Sequence, residues 1–340
     1  MKIVFYEVGD EDQASLTQLL SQNPATKDME VEYIKEKLSP GNLTLAKTAE
    51  GLGVFVNSEV RKQHIDELPN LKLIVTLSTG FDHIDTAYAK AKGITVCNVP
   101  AYGSRTVAEF TFSLILGLSR KTFAAYRQAK ENHNFSITNF EGFNLQGKTI
   151  GIVGTGRIGQ NVAQIAKGFD MNILGYDAFP NQAVAKNLGF TYVSLTDLLA
   201  QSDIVTLHVP YNKDTHHLIN KQNIAAFKKG ALLINTSRGE VAETESLMQG
   251  LELELLGGVG IDVIEGERQL ADEWHVLTSS DQTAEQLKTL AEDNALLDHP
   301  RVAYTPHIAF FSKEAKHEII HTTVENIAGF VSDQPKNIVA

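Results

Sequence analysis

The chain has 340 residues, enough for two domains that each bury a core, and its 43% hydrophobic and 21% charged residues are those of a folded globular protein. Thirty Lys and Arg against 41 Asp and Glu leave a formal net charge of −11. That balance excludes a nucleic-acid or anionic-lipid binder working through bulk charge, so a bound anion has to meet a few placed cationic groups.

The first segment, "MKIVFYEVGDED", turns acidic too early for a secretory signal. No apolar run reaches the ~18–20 residues that span a bilayer, so the expected location is the cytoplasm. The runs "KIVFY" (2–6), "GVFVN" (53–57), "LKLIVTLS" (71–78) and "GITVCN" (93–98) read as buried strands, with helix-like stretches such as "DEDQASLTQLLSQN" between them. Strand and helix in alternation predict a parallel sheet. The single cysteine, Cys97, rules out an intramolecular disulfide and reads as a small buried side chain. From residue 105, Val107, Phe110, Leu114, Leu118 and Phe123 predict one apolar helix of more than twenty residues. It connects the two halves, and either packs on a neighbouring subunit or is an internal core helix.

Six further strands follow at 148–153, 172–177, 203–210, 231–239, 257–263 and 301–307, separated by helix-length segments, which is a doubly wound sheet. The last helix, "SKEAKHEIIHTTVENIAGFVSD", then has no strand partner and is expected to cross back to the first domain. Its His317 and His321 lie one turn apart without a third ligand nearby, and with "THH" (215–217) they read as solvated residues, so no metal is expected.

The most informative stretch is "KTIGIVGTGRIGQNVAQIAKGF". A buried strand runs into Gly154-Thr-Gly156-Arg-Ile-Gly159 and an amphipathic helix follows, the context a dinucleotide site requires. Gly154 suits the tight turn, Gly156 the approach of a pyrophosphate to backbone, and Gly159 close helix–strand packing; the helix N-terminus presents free N–H groups to phosphate. Asp177 ends the next strand, where a carboxylate can bond a ribose hydroxyl, and no basic residue follows until Lys186, which favours NAD over NADP.

Ligands of open α/β sheets sit at the carboxyl ends of the strands. Here "LLINTSRG" ends in Arg238, "GVGIDVIEGE" in Asp262 and Glu267, "AYTPH" in His307, and "VTLHVP" carries His208. A guanidinium suits a 2-oxo carboxylate, and a His with a carboxylate partner suits proton transfer to a carbonyl oxygen.

Together the fingerprint, Asp177, "HVP", "INTSRG", "GIDVIEGE" and "TPHIAF" resemble the D-isomer-specific 2-hydroxyacid dehydrogenases. The resemblance implies two doubly wound parallel-sheet α/β domains. A flavodoxin-like substrate-binding domain (1–101 plus 308–340) is interrupted by a Rossmann NAD-binding domain (102–307), with the active site in the cleft between them. It implies that Arg238 orients the substrate, that His307 is the acid/base and that Glu267 is its carboxylate partner. Arg157, Ile158, His208, Val209, Pro210, Thr215, Thr236, Ser237 and Asp262 would lie along the cofactor. "STGFDHID" (78–85) matches the substrate loop, where the N–H groups of Thr79 and Gly80 would take the carboxylate; structurally it is also a plain strand-to-helix turn capped by Asp82 or Asp85. "VPAYG" with Tyr102, and the long 265–300 segment, look most like the D-lactate dehydrogenase branch. Phe310 and Phe311 give an apolar wall, whereas many lactate enzymes have a tyrosine near the position of Asn57 and one where Phe310 stands. Reduction of hydroxyisocaproate-type, phenylpyruvate, hydroxypyruvate or glyoxylate substrates is the main alternative, and an NADH-sensing corepressor-like protein a second. The family also implies a homodimer formed through the NAD domains.

Overall fold

In the computed structural model, which describes residues 1–267, 270 and 283–340, the apolar runs form two separate all-parallel sheets. Most of the 265–300 segment's first half, with Trp274, lies outside the described residues.

One compact unit comprises Met1–Tyr102 and Ser312–Ala340. Its strands are β1 (Lys2–Tyr6), β2 (Glu30–Ile34), β3 (Gly51–Val54), β4 (Leu73–Thr76) and β5 (Thr95–Cys97). They lie in the order β2-β1-β3-β4-β5, the flavodoxin-like winding. The sequence reading missed β2 because "EVEYI" is an edge strand that alternates charge with apolar residues and is mostly half-buried, so it forms no continuous apolar run. Helices α1 (Asp10–Gln22), α2 (Lys62–Asp66) and α3 (Thr86–Ala91) follow β1, β3 and β4. The C-terminal helix, Lys313–Val331, rests against α1 and β4. Its fully buried Asn326 donates from Nδ2 to the Asn98 carbonyl at 2.8 Å and accepts at Oδ1 from Asn337 at 2.8 Å. The final residues then bond to β5, Val339 N–H to the Val96 carbonyl at 2.8 Å. Cys97 is buried, and desolvation pushes its thiol up to about 11.

The other unit is Gly103–Phe311. Its strands are β6 (Thr149–Val153), β7 (Asn172–Tyr176), β8 (Thr191–Tyr192), β9 (Ile204–Leu207), β10 (Ala231–Asn235), β11 (Leu256–Ile261) and β12 (Val302–Tyr304), in the order β12-β11-β10-β9-β6-β7-β8. The winding reverses between β6 and β9, the crevice where such sheets bind ligands. The two-residue β8 was too short to register as an apolar run. Alternate residues of each strand enter opposite cores: Ile204, Leu232 and Ile234 pack on one face, Val205, Leu207 and Leu233 on the other. With both faces buried, polar chemistry is confined to the strand ends. The regular strands also stop earlier than the apolar runs, so "HVP", "TSRG" and "TPH" are loops beyond their carboxyl ends.

The single helix expected from residue 105 is instead two, α4 (Ser104–Ser119) and α5 (Thr122–Asn132). Lys121 takes a left-handed conformation, φ +52°, and turns the chain. The Phe123 ring folds back over Gly117, where even a Cβ would come within 2.0 Å of it. Phe123 follows Leu118 by five residues, off the three-and-four spacing of the apolar positions before it, so the break shows as a slip in the periodicity. Within this unit α4 packs on α6 (Arg157–Gly168), β10 and β11, whereas α5 buries none of its residues. Helices α7 (Gln182–Leu188), α8 (Leu195–Gln201), α9 (Thr244–Glu252) and α10 (Ala284–Leu297) complete the described layers.

Replacing Asn326 by Ala leaves the Asn98 carbonyl without its donor in a buried site. We expect a loss of about 1–3 kcal/mol, read by urea unfolding.

Candidate active site

At the switch between β6 and β9, Gly154 has φ +94°, and a Cβ there would lie 2.7 Å from the main chain of His208. Only glycine lets the turn press on the end of β9. Gly156 caps α6, and the position its Cβ would fill is open, with no atom within 4 Å. The N-terminus of α6 is therefore approachable by an anion, which would meet the positive end of the helix dipole there. Asp177, just past β7, is held rigidly: Oδ2 accepts from Thr155 N–H at 2.7 Å and Oγ1 at 3.0 Å, and Oδ1 accepts from Phe179 N–H at 2.9 Å. Open glycine cradle, helix N-terminus and fixed carboxylate are the donor and acceptor set that a dinucleotide requires, so the residues fit NAD.

His208 follows β9. Burial pushes its imidazole down to about 3, so the ring is neutral; Nε2 pairs with Thr206 Oγ1 at 2.9 Å. Val209 and Pro210 begin the next loop, which Thr215 closes by donating to the Pro210 carbonyl at 2.7 Å and accepting from Asn212 N–H at 2.8 Å.

The loop after β10 is folded by Asn235. Its Oδ1 accepts from Ser237 N–H (3.0 Å) and Oγ (2.8 Å), and its Nδ2 donates to the Arg238 carbonyl at 2.8 Å. Thr236 shares a hydrogen bond with Thr111 of α4 at 3.1 Å. The Arg238 side chain is half-buried and donates from Nη1 to the Ser237 carbonyl at 2.8 Å. A Cβ on Gly239 would come within 2.1 Å of the Ile264 main chain, so the Arg238 turn lies directly on the segment that follows β11.

That segment begins with Asp262, which is buried. Its carboxylate accepts from Thr305 Oγ1 (2.5 Å), Ile308 N–H (3.0 Å) and Ala309 N–H (2.7 Å), and its carbonyl accepts His307 N–H at 2.9 Å. Desolvation raises this carboxyl, and those donors pull it back. Asp262 thus builds the loop that presents His307, which has φ +54°. His307 Nδ1 lies 2.8 Å from Glu267 Oε1, and the Phe310 ring meets the imidazole edge-on at 6.3 Å between centroids.

In the first unit, the loop after β4 has its acceptors tied. Ser78 Oγ donates to the Gly80 carbonyl (2.7 Å), Asn98 Nδ2 to the Thr79 carbonyl (2.8 Å), and Thr79 Oγ1 to the Val99 carbonyl (2.8 Å). Among the described residues, the N–H groups of Thr79 and Gly80 find no acceptor. Asp85 caps α3 by accepting from Tyr88 N–H at 3.0 Å. Tyr102 ends this part of the unit half-buried. His317 and His321 lie on the C-terminal helix with ring centroids 6.1 Å apart; among the described residues no three potential ligands gather as a metal site. No described helix is long and apolar enough to cross a membrane.

Four organising residues escaped the sequence reading. Asn235 and Thr305 stand inside motifs that were noted for their neighbours. Glu265 accepts from Thr244 N–H at 2.6 Å and faces His217 Nε2 at 2.5 Å. Asp293, on α10, accepts from Thr244 Oγ1 at 3.0 Å and Gly266 N–H at 2.8 Å. Glu265 likewise stands inside "GIDVIEGE", noted for Asp262 and Glu267, whereas nothing local in the sequence marks Asp293.

Residues 112–309 match the family model for the NAD-binding domain of D-isomer-specific 2-hydroxyacid dehydrogenases. Over 306 residues the chain is 38% identical to 2-hydroxyacid dehydrogenase homolog 1 of Schizosaccharomyces pombe, covering 89% of each. It is 35% identical to a D-lactate dehydrogenase of Curvularia clavata, covering 98% of this chain and 94% of that protein. The crystal structure of D-lactate dehydrogenase from Aquifex aeolicus, complexed with NAD and lactic acid, superposes with a TM-score of 0.87 at 35% identity, covering 99% of this chain and 98% of that one.

Burial pushes the Asp293 carboxyl up to about 7 from an ordinary 3.8. Across that window the folded state holds a proton that the unfolded state releases, so this residue's contribution falls as pH rises toward 7. Asp293→Asn has no proton to lose. Its stability relative to the parent protein should therefore rise between pH 5 and pH 8 by roughly 2 kcal/mol, measured by calorimetric unfolding at both pH values.

Proposed function

We propose, because the chain belongs to the D-isomer-specific 2-hydroxyacid dehydrogenase family, that it reduces a small 2-oxo acid to the D-2-hydroxy acid with NADH, and that the acid is pyruvate and the product D-lactate. The observation that carries the catalytic reading is the His307–Glu267 pair at 2.8 Å, on a loop that Asp262 holds to the end of β11. NADH supplies the hydride. Glu267 accepts from Nδ1 of His307, which orients the ring and leaves Nε2 to give a proton to the carbonyl oxygen. Arg238 pairs with the substrate carboxylate through its planar fork and opposes the charge that builds on the reacting oxygen. Thr79 and Gly80 offer their N–H groups to the carboxylate, and Tyr102 and Phe310 shape the space for the side chain. The α6 N-terminus with Gly154, Gly156, Arg157, Ile158 and Gly159 receives the pyrophosphate, and Asp177 the ribose. His208, Val209, Pro210, Thr215, Thr236, Ser237 and Asp262 flank the cofactor from the strand ends.

The choice of pyruvate draws on the Aquifex aeolicus protein, crystallised with lactic acid, and on the apolar Phe310 beside His307. NADH oxidation followed by absorbance with pyruvate, phenylpyruvate, 2-oxoisocaproate, hydroxypyruvate and glyoxylate tests it. Pyruvate should turn over fastest and yield D-lactate; a larger or hydroxylated acid in first place would keep the mechanism and change the substrate. His307→Asn should lower kcat by on the order of 10²–10⁴ and leave NADH affinity intact. A collapse of NADH binding instead would make His307 structural.

The protein is also proposed to be a homodimer through this NAD-binding unit. Helix α5 buries nothing of its own, and Phe135 and Ile137 beyond it are 83% and 88% exposed, an apolar surface that a second copy would cover. Phe135→Asp with Ile137→Asp should halve the mass seen by light scattering on a sizing column; an unchanged mass would place the interface elsewhere or show that the parent is a monomer.

A further inference from the structure

The residues around Glu267 contain a fastening that the reaction chemistry does not by itself call for. Glu267 follows a tight turn, its N–H bonded to the Ile264 carbonyl at 3.2 Å. The two residues before it are each gripped by a different group. Glu265 takes the N–H of Thr244, the first residue of α9. Gly266 gives its N–H to Oδ2 of Asp293 on α10, while Oδ1 of the same carboxylate takes the Thr244 hydroxyl. Thr244 therefore bridges both clamps.

Asp293 is completely buried on a helix whose neighbouring inward positions, Leu290 and Leu296, are apolar. An apolar residue there would avoid the cost of desolvating a carboxylate. What the carboxylate supplies is an acceptor for one particular backbone N–H. The fit is mutual, because a Cβ on residue 266 would lie 2.2 Å from Oδ2, so only glycine allows the approach.

We propose that Asp293 is a positioning residue for catalysis: by holding the Gly266 N–H, it fixes the turn that sets the Glu267 carboxylate against His307. The inference rests on the reading of Glu267 as the partner of His307. It gives the described part of the 283–300 segment a task, the bracing of the catalytic carboxylate from behind. Burial that keeps the Asp293 carboxyl well above the ordinary carboxylate range agrees with a group retained for its acceptor geometry.

The test is a double-mutant cycle on the full-length protein, with kcat measured for the best substrate and NADH affinity by fluorescence titration. Asp293→Ala should lower kcat by about tenfold to a hundredfold, the scale of a small misplacement at a reacting group, and leave NADH affinity unchanged. In the Glu267→Gln background the same substitution should cost no further activity, because its effect passes through the Glu267 carboxylate. Equal losses in both backgrounds would overturn the proposal and make Asp293 a fold residue only. So would full activity of Asp293→Ala beside a slow Glu267→Gln. If Glu267→Gln itself were fully active, the reading of Glu267 would fail first and the proposal with it. Should Asp293→Ala not fold, Asp293→Asn serves. It keeps the volume and one acceptor oxygen, and it should be slower than the parent protein at pH 8 while unfolding at a higher temperature. That combination is one a merely weakened fold cannot give, and parent-like turnover would overturn the proposal.

Discussion

The site depends on one buried carboxylate used as a clamp. Asp262 leaves β11 and receives three donors from residues 305–309, and its own carbonyl takes the His307 N–H. A left-handed conformation at a non-glycine residue costs energy and persists only where surrounding bonds hold it, and His307 is in that region. With the clamp, the loop after β12 is tied to the loop after β11, and an imidazole and a carboxylate separated by 40 residues meet at 2.8 Å. The cost of burying Asp262 is met by hydrogen bonds and returned as geometry.

The sheet explains why such clamps are needed at all. Parallel strands covered on both faces consume their polar backbone in ladders and their side chains in packing, and leave chemistry only to the loops beyond their ends. Those loops carry no regular bonding of their own, so each one is pinned by a polar side chain: Asn235 for the Arg238 turn, Asp262 for the His307 loop, Thr215 for the loop after His208. Glycine does the complementary work, removing atoms where two loops must touch, as Gly239 does against Ile264.

The same division decides what can be read from the sequence. Buried strands are continuous apolar runs, and the fingerprint declares itself through spacing, so the doubly wound fold and the residues at the strand ends were legible. The edge strand β2 was not, because half its surface faces solvent and its residues alternate in charge. The break between α4 and α5 shows only as the five-residue step from Leu118 to Phe123, because the left-handed conformation of Lys121 has no sequence signature of its own. Arg238, Glu267 and His307 stand out as chemically distinctive groups at the strand ends. Asp293 is one acidic residue among 41 acidic residues on a helix that is otherwise ordinary, and its meaning arises only when folding brings Gly266 to it.

Charge bookkeeping ties these observations together. A protein of net charge −11 that binds a dinucleotide must present positive potential locally, yet four acidic side chains crowd the segment after β11 and its support. Each has its donors inside the protein: Asp262 the main chain and Thr305, Glu265 Thr244 and His217, Asp293 Gly266 and Thr244, Glu267 His307. Their fields are met at short range by N–H and O–H dipoles, which are most effective where water is excluded. What the end of β6 offers to an anion is then the open N-terminus of α6. The acidity of the chain as a whole is compatible with anionic ligands because the acids nearest the site are already engaged in holding the loops.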